Sequence, residues 1–138
     1  MTEGVPLWTD SVENPDDLIE GDYVKSGKIL PGMRVRVCEP GTQRVVPLGQ
    51  LGEIHQAGPQ LIKGYIPEDD EAFYTDQDGT SWLATGDQAV VYEPNRVYVT
   101  GRYKDMIIRG GENITPSLIK AVIKPLPDLD VSSLIIGK

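Results

Sequence analysis

Two polar interruptions in an apolar stretch constrain the fold of this chain more than any other feature. From Trp82 to Pro116 the sequence reads WLATGDQAVVYEPNRVYVTGRYKDMIIRGGENITP. The first interruption, Thr85-Gly86-Asp87, sits between apolar runs. The second, Gly101-Arg102-Tyr103-Lys104-Asp105, precedes Met106-Ile107-Ile108 and then Gly110-Gly111-Glu112-Asn113. Ala89 to Tyr92 and Arg96 to Thr100 alternate as strands do, and Glu93-Pro94-Asn95 between them predicts a hairpin. Beyond it the pattern predicts a strand end, a charged joint, a short strand, and a glycine turn opening a helix. Thr115 suits the N-cap of that helix and Pro116 its first position, where the missing N–H would be unpaired anyway. Leu118, Ile119, Val122 and Ile123 give it one apolar face over 116–124. Gly110 and Gly111 permit close backbone approach to whatever lies above the turn; taken alone, they fit a ligand-free connection better.

Upstream, the polar, acidic segment 9–25 predicts a surface loop. Met33-Arg34-Val35-Arg36-Val37 has the period of a half-buried strand, and Glu39-Pro40-Gly41-Thr42 is a turn. Leu51 to Gln56 is a second strand. His55 lies within it with no partner in sequence, so a structural or exposed role is expected rather than a catalytic one. Asp69 to Tyr74 predicts a short helix and Gln77-Asp78-Gly79 a turn. Past the helix, Pro125 and Pro127 mark a turn before an apolar strand, Leu134 to Ile136. Strands dominate and no internal repeat is present. The expected architecture is mixed α+β and β-rich, a small distorted barrel followed by the start of an α/β element.

A net charge of −8 disfavours nucleic acid and anionic membrane as partners, since both reward Lys and Arg. The acid is concentrated at 13–22 and 68–78, which reads as solvated loop. Cys38 is the only cysteine and His55 the only histidine. An internal disulfide and a thiolate or imidazole metal cluster are thereby excluded. No apolar run approaches membrane-spanning length, and no signal-peptide pattern opens the chain. A soluble, cytoplasmic protein is the expectation.

In combination these motifs resemble the adenylate-forming enzymes: acyl- and aryl-CoA ligases, luciferases and the adenylation domains of peptide synthetases. Thr85-Gly86-Asp87 is similar to the family's ribose motif. GRYKDMIIRGGENITP, residues 101–116, is similar to its hinge motif in the acyl/aryl-CoA ligase form. The likeness extends through GEIHQAGPQLIKGY (52–65) and SGKILPGMRVRV (26–37), and so covers nearly the whole chain. It implies ATP or AMP, Mg²⁺ and CoA as cofactors of the intact enzyme, and a carboxylic acid as substrate.

For individual residues, the resemblance implies that Asp87 grips the 2′- and 3′-hydroxyls of the nucleotide. An ionised carboxylate, accepting from two donors at once, suits that task. Outside this context Asp87 would read as a turn-capping aspartate. Arg102 would contact the nucleotide, its planar fork matching ribose and phosphate oxygens; the bland reading is an ion pair with Asp105 or Glu112. Lys104 stands at the hinge about which the small domain swings, a role of backbone torsion rather than side-chain reactivity. Gly110, Gly111, Glu112 and Asn113 match the loop lining the CoA tunnel. Thr2 and Glu3 fit the end of a Tyr-Gly-x-Thr-Glu motif near the phosphates and Mg²⁺, both offering hard oxygen ligands. A frayed terminus is the alternative there.

The Ser/Thr/Gly-rich, lysine-containing phosphate loop is not found in the sequence. Lys138 is too near the hinge to be the family's C-terminal catalytic lysine, and it lacks the flanking proline. The expectation is therefore a fragment of an acyl/aryl-CoA ligase, inactive alone. Residues 1–103 would end the large domain, and 104–138 would supply the hinge and the beginning of the small one. Self-association through surface that missing lobes would cover is expected. The alternative is a non-catalytic module that binds a nucleotide or a partner.

Overall fold

The computed structural model describes residues 26–66 and 70–110, together with Gly4, 7–8, 19–20, 23–24, 112–114, 116 and 119. The predicted helix over 116–124 and the strand at Leu134 to Ile136 fall almost wholly outside them. The chain divides into two compact units, Met1–Thr100 and Gly101–Lys138.

In the first unit, β1 (Leu7–Trp8), β4 (Gly27–Ile29), β5 (Arg34–Cys38), β6 (Gly52–Ala57), β7 (Phe73–Thr75), β8 (Ser81–Glu93) and β9 (Arg96–Arg102) make a seven-stranded sheet. Its order is β1-β4-β9-β8-β6-β5, with β7 added to the first half of β8. Among the described residues no ladder joins β5 to β1, so the sheet is open where the sequence suggested a small distorted barrel. β2 (Ile19–Glu20) and β3 (Tyr23–Val24) form a separate antiparallel pair.

The side-chain period of two sorts this sheet into an apolar face and a mixed one. Val37, Ile54, Ala89 and Val97 are buried together with Val46, and Ile29, Val35, Val91 and Val99 pack against them. Register places Arg36 opposite His55, and His55 opposite Ala84, on the other face. β6 lies between β5 and β8 and is buried at every position, Glu53, His55 and Gln56 included. Half-burial, the usual state of an alternating strand, is therefore absent from the element that carries the single histidine.

Local chemistry accounts for the connections. β8 and β9 meet across Pro94 and Asn95, where proline presets one torsion and asparagine tolerates a φ of 71°. The expected helix at Asp69 to Tyr74 is instead one 3₁₀ turn, Asp70–Ala72, running directly into β7. Phe73 and Tyr74 find ladder partners in Leu83 and Trp82, and tertiary pairing there overrides a helix too short to nucleate.

In the second unit, the 3₁₀ turn Tyr103–Asp105 leads to β10 (Ile107–Arg109), which pairs with β11 (Glu112–Ile114). Arg109 opposes Glu112, so β10 leads into a second strand where a turn opening a helix directly was expected. Gly110 takes a φ of 63° there. Among the described residues no helix is long and apolar enough to cross a membrane.

Candidate functional site

The feature that organises the first unit is a bulge in β8. Glu53 pairs with Gln88 and His55 with Ala84, so a short step along β6 spans a longer one along β8. Thr85-Gly86-Asp87 thus faces Ile54 alone, two residues more than the ladder needs. Gly86 has a φ of +73° and nothing near the position of a Cβ, so glycine is required there by torsion and not by crowding.

Side chains satisfy the amides that the broken ladder releases. The Gly86 N–H donates to Glu53 Oε1 at 3.0 Å, and the Asp87 N–H donates to Thr85 Oγ1 at 3.1 Å. The Thr85 hydroxyl itself donates to the Ile54 carbonyl at 2.9 Å. Next along the strand, the Thr100 hydroxyl lies 3.3 Å from the Gln88 carbonyl oxygen and 2.8 Å from Gln88 Oε1. The backbone entering and leaving Asp87 is thus pinned on both sides. Asp87 itself is 6% exposed, a degree of burial that its place in a polar interruption did not suggest.

The remaining expected site residues are placed as follows. Arg102, exposed, ends β9 with φ −124° and ψ 136°, immediately before the 3₁₀ turn. Lys104, also exposed, is the middle residue of that turn. Gly110 directly follows β10, and Glu112 and Asn113 of β11 pair with Arg109 and Ile108. Asp87 belongs to the first unit; Arg102, Lys104, Gly110, Glu112 and Asn113 belong to the second. Thr2, Glu3 and Gly111 lie outside the described residues.

Sequence reasoning missed a polar network on the mixed face of the sheet. The Arg36 guanidinium sits 3.9 Å from the centroid of the Trp82 ring and donates to Tyr74 Oη at 2.7 Å. Asp76 Oδ2 lies 3.7 Å from Arg36 and accepts from Trp82 Nε1 at 2.7 Å. The other Asp76 oxygen takes the amides of Asp78 and Thr80. These bonds, the Thr80 amide foremost and then the Trp82 indole, hold the Asp76 carboxyl below its ordinary range. Asp76 therefore departs from the solvated-loop reading of 68–78.

Tyr74 Oη also meets His55 Nδ1 at 2.5 Å. Arginine can only donate, so the phenol accepts from Arg36 and its own proton is left for His55 Nδ1. The neutral imidazole then carries its hydrogen on Nε2, which faces Glu53 Oε2 at 3.8 Å and has no hydrogen-bond partner among the described residues. Burial, at 1% exposure, pushes the His55 pKa below its ordinary value, with the Glu53 charge opposing. The signal that could have found this network was parity. Arg36 and His55 fall on one face of adjacent strands, but only once their register is known.

A groove of about 500 Å³ is lined by Gly58, Leu61, Ile62, Lys63, Phe73, Tyr74, Thr75 and Ser81. Asp87 is not among its lining residues.

No protein-family model matches the chain. Individual proteins do. It is 42% identical over 139 residues to the acyl-CoA ligase sidI of Aspergillus fumigatus, covering 98% of this chain and 23% of that protein. The structure of ATP-bound MatB from Rhodopseudomonas palustris superposes with a TM-score of 0.62 at 36% identity, covering 75% of this chain and 20% of that one. The chain belongs to the adenylate-forming superfamily. Within it, the curated relatives are acyl-CoA ligases. Unliganded MenE of Bacillus subtilis, an O-succinylbenzoate coenzyme A synthetase, superposes with a TM-score of 0.60 at 32% identity, covering 75% of this chain and 22% of that one. The chain thus spans about a quarter of the length of these adenylate-forming proteins.

Proposed function

We propose that this chain is the ribose-gripping and hinge portion of an ATP-dependent acyl- or aryl-CoA ligase. In the intact enzyme a carboxylic acid would attack ATP to give an acyl-adenylate and pyrophosphate. The thiol of CoA would then displace AMP to form the thioester. The observation that carries this reading is the Thr85–Asp87 bulge, whose amides are tied down by Glu53 and Thr85. A carboxylate on a fixed backbone meets two neighbouring hydroxyls with little ordering left to do.

The hinge is assigned to Lys104, dividing 1–103 from 104–138. In support, Lys104 sits in one isolated 3₁₀ turn whose flanking residues, Arg102 and Met106, are both extended. A torsion change there breaks a single turn and spares both neighbouring strands. Arg102 would reach the nucleotide, and residues 110–113 would line the path of the CoA arm. Thr2 and Glu3 would face the phosphates and Mg²⁺. An α/β continuation beyond the hinge, in a soluble cytoplasmic protein, belongs to the same proposal. Lacking the phosphate loop and the catalytic lysine, the 138-residue chain should complete neither half-reaction alone.

Titration calorimetry with AMP tests the central claim. Asp87→Asn should weaken binding by about tenfold, the value of one charge-assisted pair. Adenine, which has no ribose, should bind the two forms equally. Equal AMP affinities for wild type and variant would overturn the ribose assignment. Separately, pyrophosphate exchange by the isolated chain would overturn the claim that it is inactive alone.

A further inference from the structure

We infer that Glu53 is a positioning residue for Asp87, acting through the amide of Gly86. The inference rests on the ribose reading above and deepens it. Glu53 is 8% exposed in the central strand β6. One of its oxygens takes the Gly86 N–H at 3.0 Å, and the other takes the Gly41 N–H, in the turn after β5, at 3.1 Å. A single carboxylate thus staples the β8 bulge to a turn from another strand. The bulge sets no ladder register of its own, because register resumes only at Gln88. Of the hydrogen bonds described at residues 85–87, the two that reach outside the tripeptide are Glu53 to Gly86 and Thr85 to the Ile54 carbonyl.

The geometry makes the glutamate more than a packing element. Gly86 is the residue whose left-handed φ turns the strand, and Asp87 leaves the backbone at the next position. Rotation about Gly86 therefore re-aims the Asp87 carboxylate directly. Torsion alone does not prevent that rotation, because glycine lacks a Cβ and nothing crowds its position. The Thr85 hydroxyl holds the Asp87 amide, and the Glu53 bond adds a constraint at Gly86 itself. A 2′,3′-diol demands a carboxylate held in one orientation, so loss of the staple should appear as lost ribose selectivity rather than lost fold.

Hydrogen exchange at the backbone amides, read by NMR on the 138-residue chain, tests the staple. Affinities for AMP and 2′-deoxy-AMP test its consequence. In Glu53→Ala the Gly86 amide should exchange at least tenfold faster, while the Ile54 and Ala89 amides keep their protection. Glu53→Gln, which keeps one carbonyl acceptor and the size of the side chain, should be intermediate and guards against failure of the alanine variant to fold. The preference for AMP over 2′-deoxy-AMP should shrink at least fivefold in the variants. If Gly86 stays protected in both variants, or if it loosens and the preference is unchanged, the positioning role is overturned. A wild-type chain with no preference for AMP would instead overturn the ribose reading, and the exchange data would still decide whether Glu53 holds the bulge.

Discussion

At Trp82 one side chain serves two neighbours of opposite charge. Its ring face lies under Arg36 and its N–H is spent on Asp76. Trp82→Phe keeps an aromatic surface but removes the donor and weakens the cation–π contact. A loss of about 1–2 kcal/mol is expected from those two effects. Urea unfolding should show it as a lower midpoint with an unchanged slope. An unaltered midpoint would mean that Asp76 is held by Thr80 and Asp78 alone. Sequence showed Trp82 only as the start of the stretch leading into Thr85-Gly86-Asp87 and hid its partners, which lie on β5 and in the 76–80 turn. The break in β8 was legible for the opposite reason, since Thr85-Gly86-Asp87 interrupts the apolar runs on either side of it.

Among the elements, β6 shows what periodicity conveys and what it misses. Its existence could be read from Leu51 to Gln56, and the observed strand is offset by one residue. Its burial on both faces could not, because that follows from lying between β5 and β8. The closest packing in the strand is at Gly52. A Cβ built there would lie 2.4 Å from the Cys38 carbonyl oxygen and 2.8 Å from Val37 Cγ1. Neither the paired backbone nor the core valine can retreat cheaply. Gly52→Ala is therefore expected to cost about 3 kcal/mol, at the upper end of overpacking effects. Thermal denaturation would measure it, and a change within about 0.5 kcal/mol would show that β5 can shift without penalty. The stretch after Ile108 illustrates a limit of local reading. Glu112–Ile114 was not expected as a strand, and only its ladder with Ile107–Arg109 shows it.

For the whole molecule, the single histidine links stability to pH. The folded-state pKa of His55 is depressed by burial, so on acidification the unfolded chain binds a proton that the folded chain refuses. Stability should hold above about pH 6.5, the ordinary imidazole value, and fall as pH drops below it. Below about pH 4 the depressed Asp76 carboxyl adds a second loss of the same sign. Urea midpoints at pH 7.5 and 5.5 should differ in the wild type and converge in His55→Gln. A wild-type midpoint independent of pH would remove His55 from the account. The strand-rich class of the fold was legible from alternation and turn residues. Whether the sheet closes was not, since closure depends on contacts between chain segments far apart in sequence.

The surplus residues of β8 carry one more consequence. Because the excess over β6 is even, Trp82 before the bulge and Gln88 after it still point to the same side of the sheet. Deleting Gly86 alone would leave an odd remainder. Everything upstream in β8 would then turn over, carrying the indole away from its guanidinium and pressing Leu83 against the histidine. The Thr85–Asp87 bulge is therefore also the molecule's frame-keeper, and its length is fixed by counting.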